Sequence, residues 1–266
     1  GASKVPAVAP PVQAVVRARP SARMRLNRII IKSVRTSAFI VLALFCLVFL
    51  AACQKDEEQT AELFVFGTIV EIKLWGASQQ EANTAFSELQ QIFQAMHRDW
   101  HAWEPGKLTL INKDFANGQT ATANADIVAM IQASQRVEEL TNGRFNPAIG
   151  ALIRLWGFHT SDYPIMGPPP SQEQISAVLD RKPSSLDIRI DGLELSTDNP
   201  SVQLDFGGIA KGYAVDLTVA HLRKLGINNA IVNAGGDLRA IGSHGDRPWR
   251  VAVRKPGGGS IGFIEV

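Results

Sequence analysis

The chain has 266 residues, of which 45% are hydrophobic and 20% are charged, a composition typical of one large or two small globular domains. It contains only two cysteines, so a disulfide framework is excluded. Residues 1–52 carry eight Lys/Arg and no Asp/Glu, which leaves 19 Lys/Arg against 25 Asp/Glu in residues 53–266. This acidic remainder argues against a nucleic-acid partner.

The first 52 residues have the layout of a targeting segment. Residues 1–23 are rich in Ala, Val, Pro and Arg, and we interpret them as disordered or as upstream of a start at Met24. Residues 24–52 combine a basic region with an uninterrupted apolar run, which is short for a membrane span and typical of a signal peptide. The alternative is an uncleaved anchor helix.

The apolar run ends in Leu-Ala-Ala-Cys, which resembles a bacterial lipobox. The resemblance implies cleavage before Cys53 and lipidation of that cysteine, with residues 53–61 as a polar tether to a domain over 62–266. Several acyl chains would anchor the protein firmly, because one chain alone binds membranes marginally. We therefore expect a lipid-anchored protein of the bacterial cell envelope that faces the periplasm, at the inner or the outer membrane.

The globular part begins with a predicted strand over 63–75 that bends at Gly67. Ser78 and Glu81 have the spacing of a capping box, which predicts a helix to about His97. A second helix is predicted over 125–140, and Asn146 followed by Pro147 predicts the N-cap and first residue of a third.

The later elements alternate less regularly. They are a short helix over 171–179, a hairpin around Asp191-Gly192, a strand over 202–206, a helix over 210–225, and strands over 230–233, 249–254 and 260–266. Helices and strands are interspersed without strict alternation, which predicts an α+β fold.

Aromatic and imidazole side chains cluster after the first long helix. Trp100 and Trp103 lie near the Pro105-Gly106 turn, where they could stack on a planar ligand or pack in the core. His97 and His101 have the i, i+4 spacing of metal ligands, but the sequence offers no evident third ligand, so we expect no zinc site here.

The most informative stretch runs from Asp205 to Asp216. A glycine pair at 207–208 precedes a helical pattern, and the first turn of a helix offers unpaired N–H groups that suit a phosphate. Lys211 adds a cation there, and Asp205 adds a carboxylate that a divalent metal could offset. A nucleotide site and a plain strand-to-helix turn with a surface lysine both fit this stretch alone.

Several motifs occur in an order that resembles the FAD:protein FMN transferase (ApbE) family over about residues 61–266. The motifs are Phe-Gly-Thr at 66–68, Trp-Glu-Pro at 103–105, Arg-Phe-Asn-Pro at 144–147, Leu-Trp-Gly-Phe at 155–158, Asp-Phe-Gly-Gly-Ile-Ala-Lys-Gly at 205–212 and Asn-Ala-Gly-Gly-Asp at 233–237. The resemblance implies an ApbE-like fold of mixed sheets with packed helices.

The resemblance also implies a reaction and its site. The family moves FMN from FAD to a Thr or Ser of an acceptor protein and releases AMP, with Mg²⁺, and a membrane electron-transfer complex is the expected acceptor. Residues at the positions of the family's FAD contacts are Phe66, Trp103, Arg144, Phe145, Asn146, Asp205 and Lys211. Asp205 and Lys211 are the expected catalytic residues, and the Gly208 carbonyl is the expected metal contact.

The chain departs from the family pattern in four places. Phe66 stands where the family usually has Met, Trp103 where Tyr is common, and Asn146 where Asp is usual. The family also continues beyond the position of Val266 with a His-x-x-Asp-Pro segment and metal ligands. We therefore interpret the chain as a fragment or truncated gene that lacks the C-terminal strands and leaves 260–266 as an unpaired edge. The alternative function is a non-catalytic FAD-binding lipoprotein or an inactive remnant.

Overall fold

A computed structural model of the chain describes residues 57–266. The predicted upstream extension (1–23), signal peptide (24–52) and lipidated Cys53 lie outside the described residues. Within the described part, no helix combines the length and the apolar character that crossing a bilayer requires.

The described residues form an α+β fold, as the sequence predicts. The strands are β1 (Glu58–Val65), β2 (Thr68–Trp75), β3 (Ala121–Thr122), β4 (Arg189–Asp191), β5 (Glu194–Ser196), β6 (Ala230–Ala234), β7 (Asp237–Ile241), β8 (Arg250–Arg254) and β9 (Ser260–Glu265). The helices are α1 (Gln79–Trp100), α2 (Lys107–Ala116), α3 (Ala125–Leu140), α4 (Gly150–Leu155), α5 (Gln172–Leu179) and α6 (Ala210–Lys224), with a 3-10 turn at Ser185–Asp187.

The largest sheet is antiparallel, in the order β1-β2-β6-β7. Helix α1 packs against β1, α2 and α6, and it buries one apolar face whose residues recur at helical spacing (Ala82, Ala85, Leu89, Phe93, Met96 and Trp100). Ser78 accepts a hydrogen bond from the Glu81 amide, and the Glu81 carboxylate accepts one from Ser78, which confirms the predicted capping box.

The single strand predicted over 63–75 is instead a hairpin. Phe66 and Gly67 both have positive φ (55° and 67°), and two such residues in succession reverse the chain, so that Val65 pairs with Thr68. β1 already begins at Glu58, so residues 58–61, predicted as part of the tether, belong to this strand. The sequence signal for a bend at Gly67 was correct, but the bend is a full turn.

The segment over 202–206, predicted as a strand, is extended but is not part of a sheet. Its backbone bonds with residues 147–150 on one side: Asp205 N donates to Pro147 O (2.8 Å) and Gly150 N donates to Gln203 O (2.7 Å). The buried Asn112 of α2 takes the place of another strand, because its Oδ1 accepts from Leu204 N (2.7 Å) and its Nδ2 donates to Leu204 O (2.9 Å).

The same bonds explain why the helix predicted to start at Pro147 begins later. The carbonyls of Pro147 and Ala148 accept hydrogen bonds from the 202–206 segment, so this backbone is extended and α4 starts only at Gly150. Asn146 is therefore not the N-cap of a helix; the cap position belongs to Ile149.

Residues 260–265, predicted as an unpaired edge, are paired. They form β9, which runs antiparallel to β8 with Arg250 opposite Glu265. The predicted helices over 125–140 and 210–225 and the hairpin around Asp191-Gly192 are confirmed within a residue of the predicted limits.

Replacing Asn112 tests the link between α2 and the 202–206 segment. Asn112→Ala leaves the buried N–H and C=O of Leu204 without their side-chain partner, and we expect it to lower the free energy of unfolding by about 2–4 kcal/mol. Asn112→Asp retains only the acceptor. Denaturant unfolding of both variants checks this, and an alanine variant as stable as the wild type would contradict it.

Candidate functional site

The start of α6 is open to a ligand. Ile209 N and Ala210 N both donate to Phe206 O (2.9 and 2.8 Å), and no side chain of the described residues caps the helix. Because an uncapped first turn leaves N–H groups that favour negative charge, this turn fits an anion. Lys211 lies in the same turn and is half-buried.

Asp205, which precedes this turn, is buried and its carboxylate is held at both oxygens. Oδ1 accepts a hydrogen bond from Gly207 N (2.8 Å), and Oδ2 lies 3.0 Å from Nε2 of His159. The bond from Gly207 forms an Asx turn, which fixes the carboxylate against the glycine pair. Asp205 therefore acts here as a fixed group rather than as a freely moving one.

The Arg-Phe-Asn-Pro motif lies against the glycine pair. A Cβ on Gly208 would lie 3.3 Å from Cε2 of Phe145, so the absence of a side chain at 208 lets the aromatic ring approach closely. Phe145 is half-buried and Arg144 is exposed. The fold thus brings the predicted residues Phe145, Asp205 and Lys211 to one place.

Asn146 is engaged at both ends of its amide. Oδ1 accepts a hydrogen bond from Ala148 N (2.8 Å), and Nδ2 donates one to Pro183 O (2.8 Å). A carboxylate only accepts, so Asp at this position could not make the second bond. The departure from the usual family residue therefore has a structural explanation, while contact of Asn146 with FAD stays a prediction.

Trp103 is attached to the same site through His159. The indole of Trp103 stacks on the imidazole of His159 at 5.0 Å between ring centroids, with 18° between the planes. The ring of His101 packs edge-on against the same indole, at 4.2 Å between centroids. Trp103 remains 40% exposed, so part of the indole is open to a planar ligand. Of the two predicted alternatives, Trp103 fits a ligand-facing aromatic residue, whereas Trp100 is buried in the core.

Phe66 is connected to α6 indirectly, through contacts between aromatic rings. It stacks on Trp100 at 5.9 Å and 4°, and Trp100 lies 5.9 Å from Tyr213 of α6. Burial raises the pKa of the Tyr213 hydroxyl. The second glycine pair adjoins the turn that holds Phe66, since a Cβ on Gly235 would lie 2.5 Å from Oγ1 of Thr68.

The structure supplies the third residue that the His97 and His101 spacing lacked. One ligand atom each of His97, His101 and Glu104 lies within 4.8 Å of the others. Nδ1 of His101, however, accepts from Glu104 N (3.0 Å), and burial lowers the pKa of His101. A metal ion on Nε2 would leave the proton of the neutral ring on Nδ1, where it would face the Glu104 N–H, so this hydrogen bond works against a metal ion.

A cavity of about 920 Å³ opens beside Trp103 and His159. Its charged lining residues are all basic, namely Lys113, Arg154 and Arg181, and none of the described lining residues is Asp or Glu. The volume is within the range of small-molecule sites. The predicted site residues Asp205 and Lys211 do not line this cavity, whereas Trp103 and His159 do.

His159 is the site residue that sequence reasoning missed. The Leu-Trp-Gly-Phe motif at 155–158 ends one residue before it. The sequence does carry one local signal, because a glycine after a helix commonly ends it, and Gly157 does so with φ 81°. Nothing local, however, indicates that His159 meets a carboxylate 46 residues further along.

These elements define an α+β protein in which an uncapped helix start, suited to an anion, lies near aromatic side chains. The ApbE family matches residues 66–266, and the chain belongs to that family. A protein of Rhodobacter capsulatus named FAD:protein FMN transferase is 38% identical over 78% of this chain and 39% of its own length. One of Vibrio cholerae with the same name is 28% identical over 81% of this chain and 65% of its own.

Solved structures agree with this assignment. A structure titled Flavin Transferase ApbE from Vibrio cholerae superimposes with a TM-score of 0.67 and 25% identity, over 79% of this chain and 69% of that one. The ApbE protein of Thermotoga maritima gives a TM-score of 0.67 and 28% identity, over 79% and 68%. The chain thus spans from about two fifths to about two thirds of the length of the two named relatives.

Asn146→Asp tests the explanation of this departure from the family. The new carboxylate would face the Pro183 carbonyl and leave that acceptor without its donor, so we expect a loss of about 1–3 kcal/mol in the free energy of unfolding. Asn83→Asp, at an exposed position of α1 where the side-chain oxygen accepts a hydrogen bond that Asp can also accept, is the control. Thermal unfolding of both variants measures the difference; equal stability of the two would contradict the explanation.

Proposed function

We propose that the chain carries the FAD-binding part of a flavin transferase that moves FMN from FAD to a Thr or Ser of an acceptor protein. The observation that carries the proposal is the juxtaposition of Asp205, Phe145 and Lys211 at an uncapped helix start, in a member of the ApbE family. Relatives named FAD:protein FMN transferase support the choice of FAD as substrate and of a protein as acceptor.

The proposed reaction is a phosphoryl transfer. The acceptor hydroxyl oxygen bonds to the phosphorus on the FMN side of the pyrophosphate, the bond from that phosphorus to the bridging oxygen breaks, and AMP leaves with the bond electrons. The hydroxyl proton passes to a base or to water. Catalysis of this kind depends mainly on positioning and on charge stabilisation.

The described residues suit the binding and charge-stabilising roles. The first-turn amides of α6 and the Lys211 ammonium would offset the negative charge of the pyrophosphate. Phe145 and the open part of Trp103 would contact the planar rings of FAD. Asp205, held at both oxygens, would keep the Gly207-Gly208 turn in the shape that lets the ligand approach.

Magnesium is proposed from the family resemblance, with the Gly208 carbonyl as its contact. Magnesium prefers octahedral coordination by oxygen, and at this turn both oxygens of Asp205 already accept hydrogen bonds. The turn by itself therefore does not complete a magnesium site, and the roles given above to the side chains do not depend on the ion.

Lys211→Ala tests the binding role. We expect FAD affinity to fall by about tenfold, because a charge-assisted hydrogen bond to phosphate is lost. Lys224→Ala, at the other end of α6, removes the same charge away from the site and should leave affinity unchanged. Calorimetric titration with FAD, with and without magnesium, measures both variants. Equal affinities would remove Lys211 from the site.

Transfer is tested by incubating the protein with FAD, magnesium and an acceptor that carries a Thr/Ser flavinylation motif. We expect a fluorescent acceptor band and release of one AMP for each FMN attached. FAD binding that does not depend on magnesium and yields no labelled acceptor would favour the alternative, a non-catalytic FAD-binding lipoprotein. Absence of FAD binding would contradict both hypotheses, the flavin transferase and the FAD-binding lipoprotein.

The cellular setting is also a proposal. It rests on the signal-like segment and on the lipobox resemblance at Cys53, and it makes an envelope protein, such as a membrane electron-transfer complex, the expected acceptor. Expression of the chain from Met24 in a bacterium tests it. Cys53→Ser should shift the protein out of the detergent phase and abolish labelling by a fatty-acid probe, whereas Cys46→Ser should change neither. Unchanged labelling of Cys53→Ser would rule out lipidation there.

A further inference from the structure

The side chain of His159 is buried, whereas the two aromatic residues before it are exposed. Gly157 ends α4 in the left-handed region, and Phe158 N donates to Ile153 O (3.1 Å), so the chain reverses immediately before His159. Trp156 and Phe158 are 41% and 48% exposed, whereas the His159 side chain is 5% exposed. A polar imidazole is therefore buried directly after two exposed aromatic residues, which is the reverse of what hydrophobicity favours.

The buried imidazole contacts two residues of the candidate site. Nε2 lies 3.0 Å from Oδ2 of Asp205, whose side chain is 7% exposed, and a carboxylate only accepts, so His159 donates. The face of the same ring stacks on Trp103. One side chain thus fixes both the carboxylate before the glycine pair and the indole that is open to a planar ligand.

We propose that His159 is a positioning residue for FAD, and this inference rests on the proposed function. Its N–H holds the second oxygen of Asp205, and Asp205 in turn holds Gly207 N, so that the turn before α6 keeps the shape that accepts the pyrophosphate. Its ring covers one face of Trp103 and leaves the rest of the indole to the ligand. His159 itself stays out of contact with the reacting atoms.

The donor and the ring can be separated by substitution. His159→Phe retains a ring for Trp103 but loses the donor to Asp205, and His159→Gln retains a donor but loses the ring. We expect His159→Phe to weaken FAD binding by about tenfold and His159→Gln to weaken it less, because a hydrogen bond to a buried charge contributes more than one aromatic contact. Calorimetric titration with FAD measures both.

A second pair offers a matched control. His221, in the last turn of α6, lies 2.8 Å from Oε2 of Glu88, so His221→Phe also breaks a histidine–carboxylate pair but at the opposite end of the helix. It should lower stability without changing FAD affinity. Thermal unfolding of every variant separates a loss of fold from a loss of binding.

A double-mutant cycle identifies the route of the effect. If His159 acts through Asp205, then His159→Phe should change FAD affinity by less than about twofold in the Asp205→Asn background. Two outcomes would overturn the inference while leaving FAD binding intact. In one, the losses of FAD affinity caused by His159→Phe and Asp205→Asn multiply in the double variant; in the other, His159→Phe binds FAD like the wild type. A wild-type chain that binds no FAD would overturn the proposed function and this inference with it. Should His159→Phe not fold, His159→Met, which also lacks a donor, takes its place in the cycle.

Discussion

The candidate site depends on how one buried extended segment is held. Residues 202–206 have the backbone conformation of a strand but no strand beside them, and they are paired by residues 147–150 and by the amide of Asn112. Burial of unpaired backbone groups is costly, so these bonds are what allow the segment to lie inside the domain. The position of this segment therefore determines the positions of Asp205 and of the first turn of α6, which comes directly after it.

The same bonds join parts of the chain that carry separate motifs. Pro147 O accepts from Asp205 N, which brings the Arg-Phe-Asn-Pro motif against the glycine pair, and Phe145 then packs on Gly208. The His159 imidazole adds the Trp103 motif through stacking. A few contacts between distant residues thus bring motifs that are separate in the sequence into one cluster.

The local parts of this arrangement could be predicted from the sequence. The capping box at Ser78 and the helical periodicity up to Lys224 depend on neighbouring residues, and the structure confirms them. The glycine pair and Lys211 are also neighbours in the sequence, and they predict a turn before α6 that suits an anion. Family resemblance supplied the remaining site residues, whose contacts with FAD stay predictions.

The hairpin at Phe66-Gly67 results from a local turn, whereas the wrong predictions at Asn146-Pro147 and over 202–206 share a different physical cause, which is a partner distant in sequence. The Asn146-Pro147 pair has the pattern of a helix start, but the backbone after it bonds to residues 203–205 instead. The apolar run over 202–206 has the pattern of a sheet strand, but a side chain from α2 occupies the neighbouring place. His159 belongs to the site only because the fold brings its Nε2 within 3.0 Å of Asp205, 46 positions along the chain.

The bonds that hold residues 203–205 also restrict the rotation of α6 about its own axis, because the helix begins shortly after them. A helix turns by about 100° per residue, so a slip of the preceding segment by a single residue would rotate the first turn by that angle. Such a slip would change the direction of the Lys211 side chain relative to the glycine pair, although the helix itself would be intact. The Asn112 amide, on a different helix, and the backbone bonds of residues 147–150 therefore act together on the direction in which Lys211 faces.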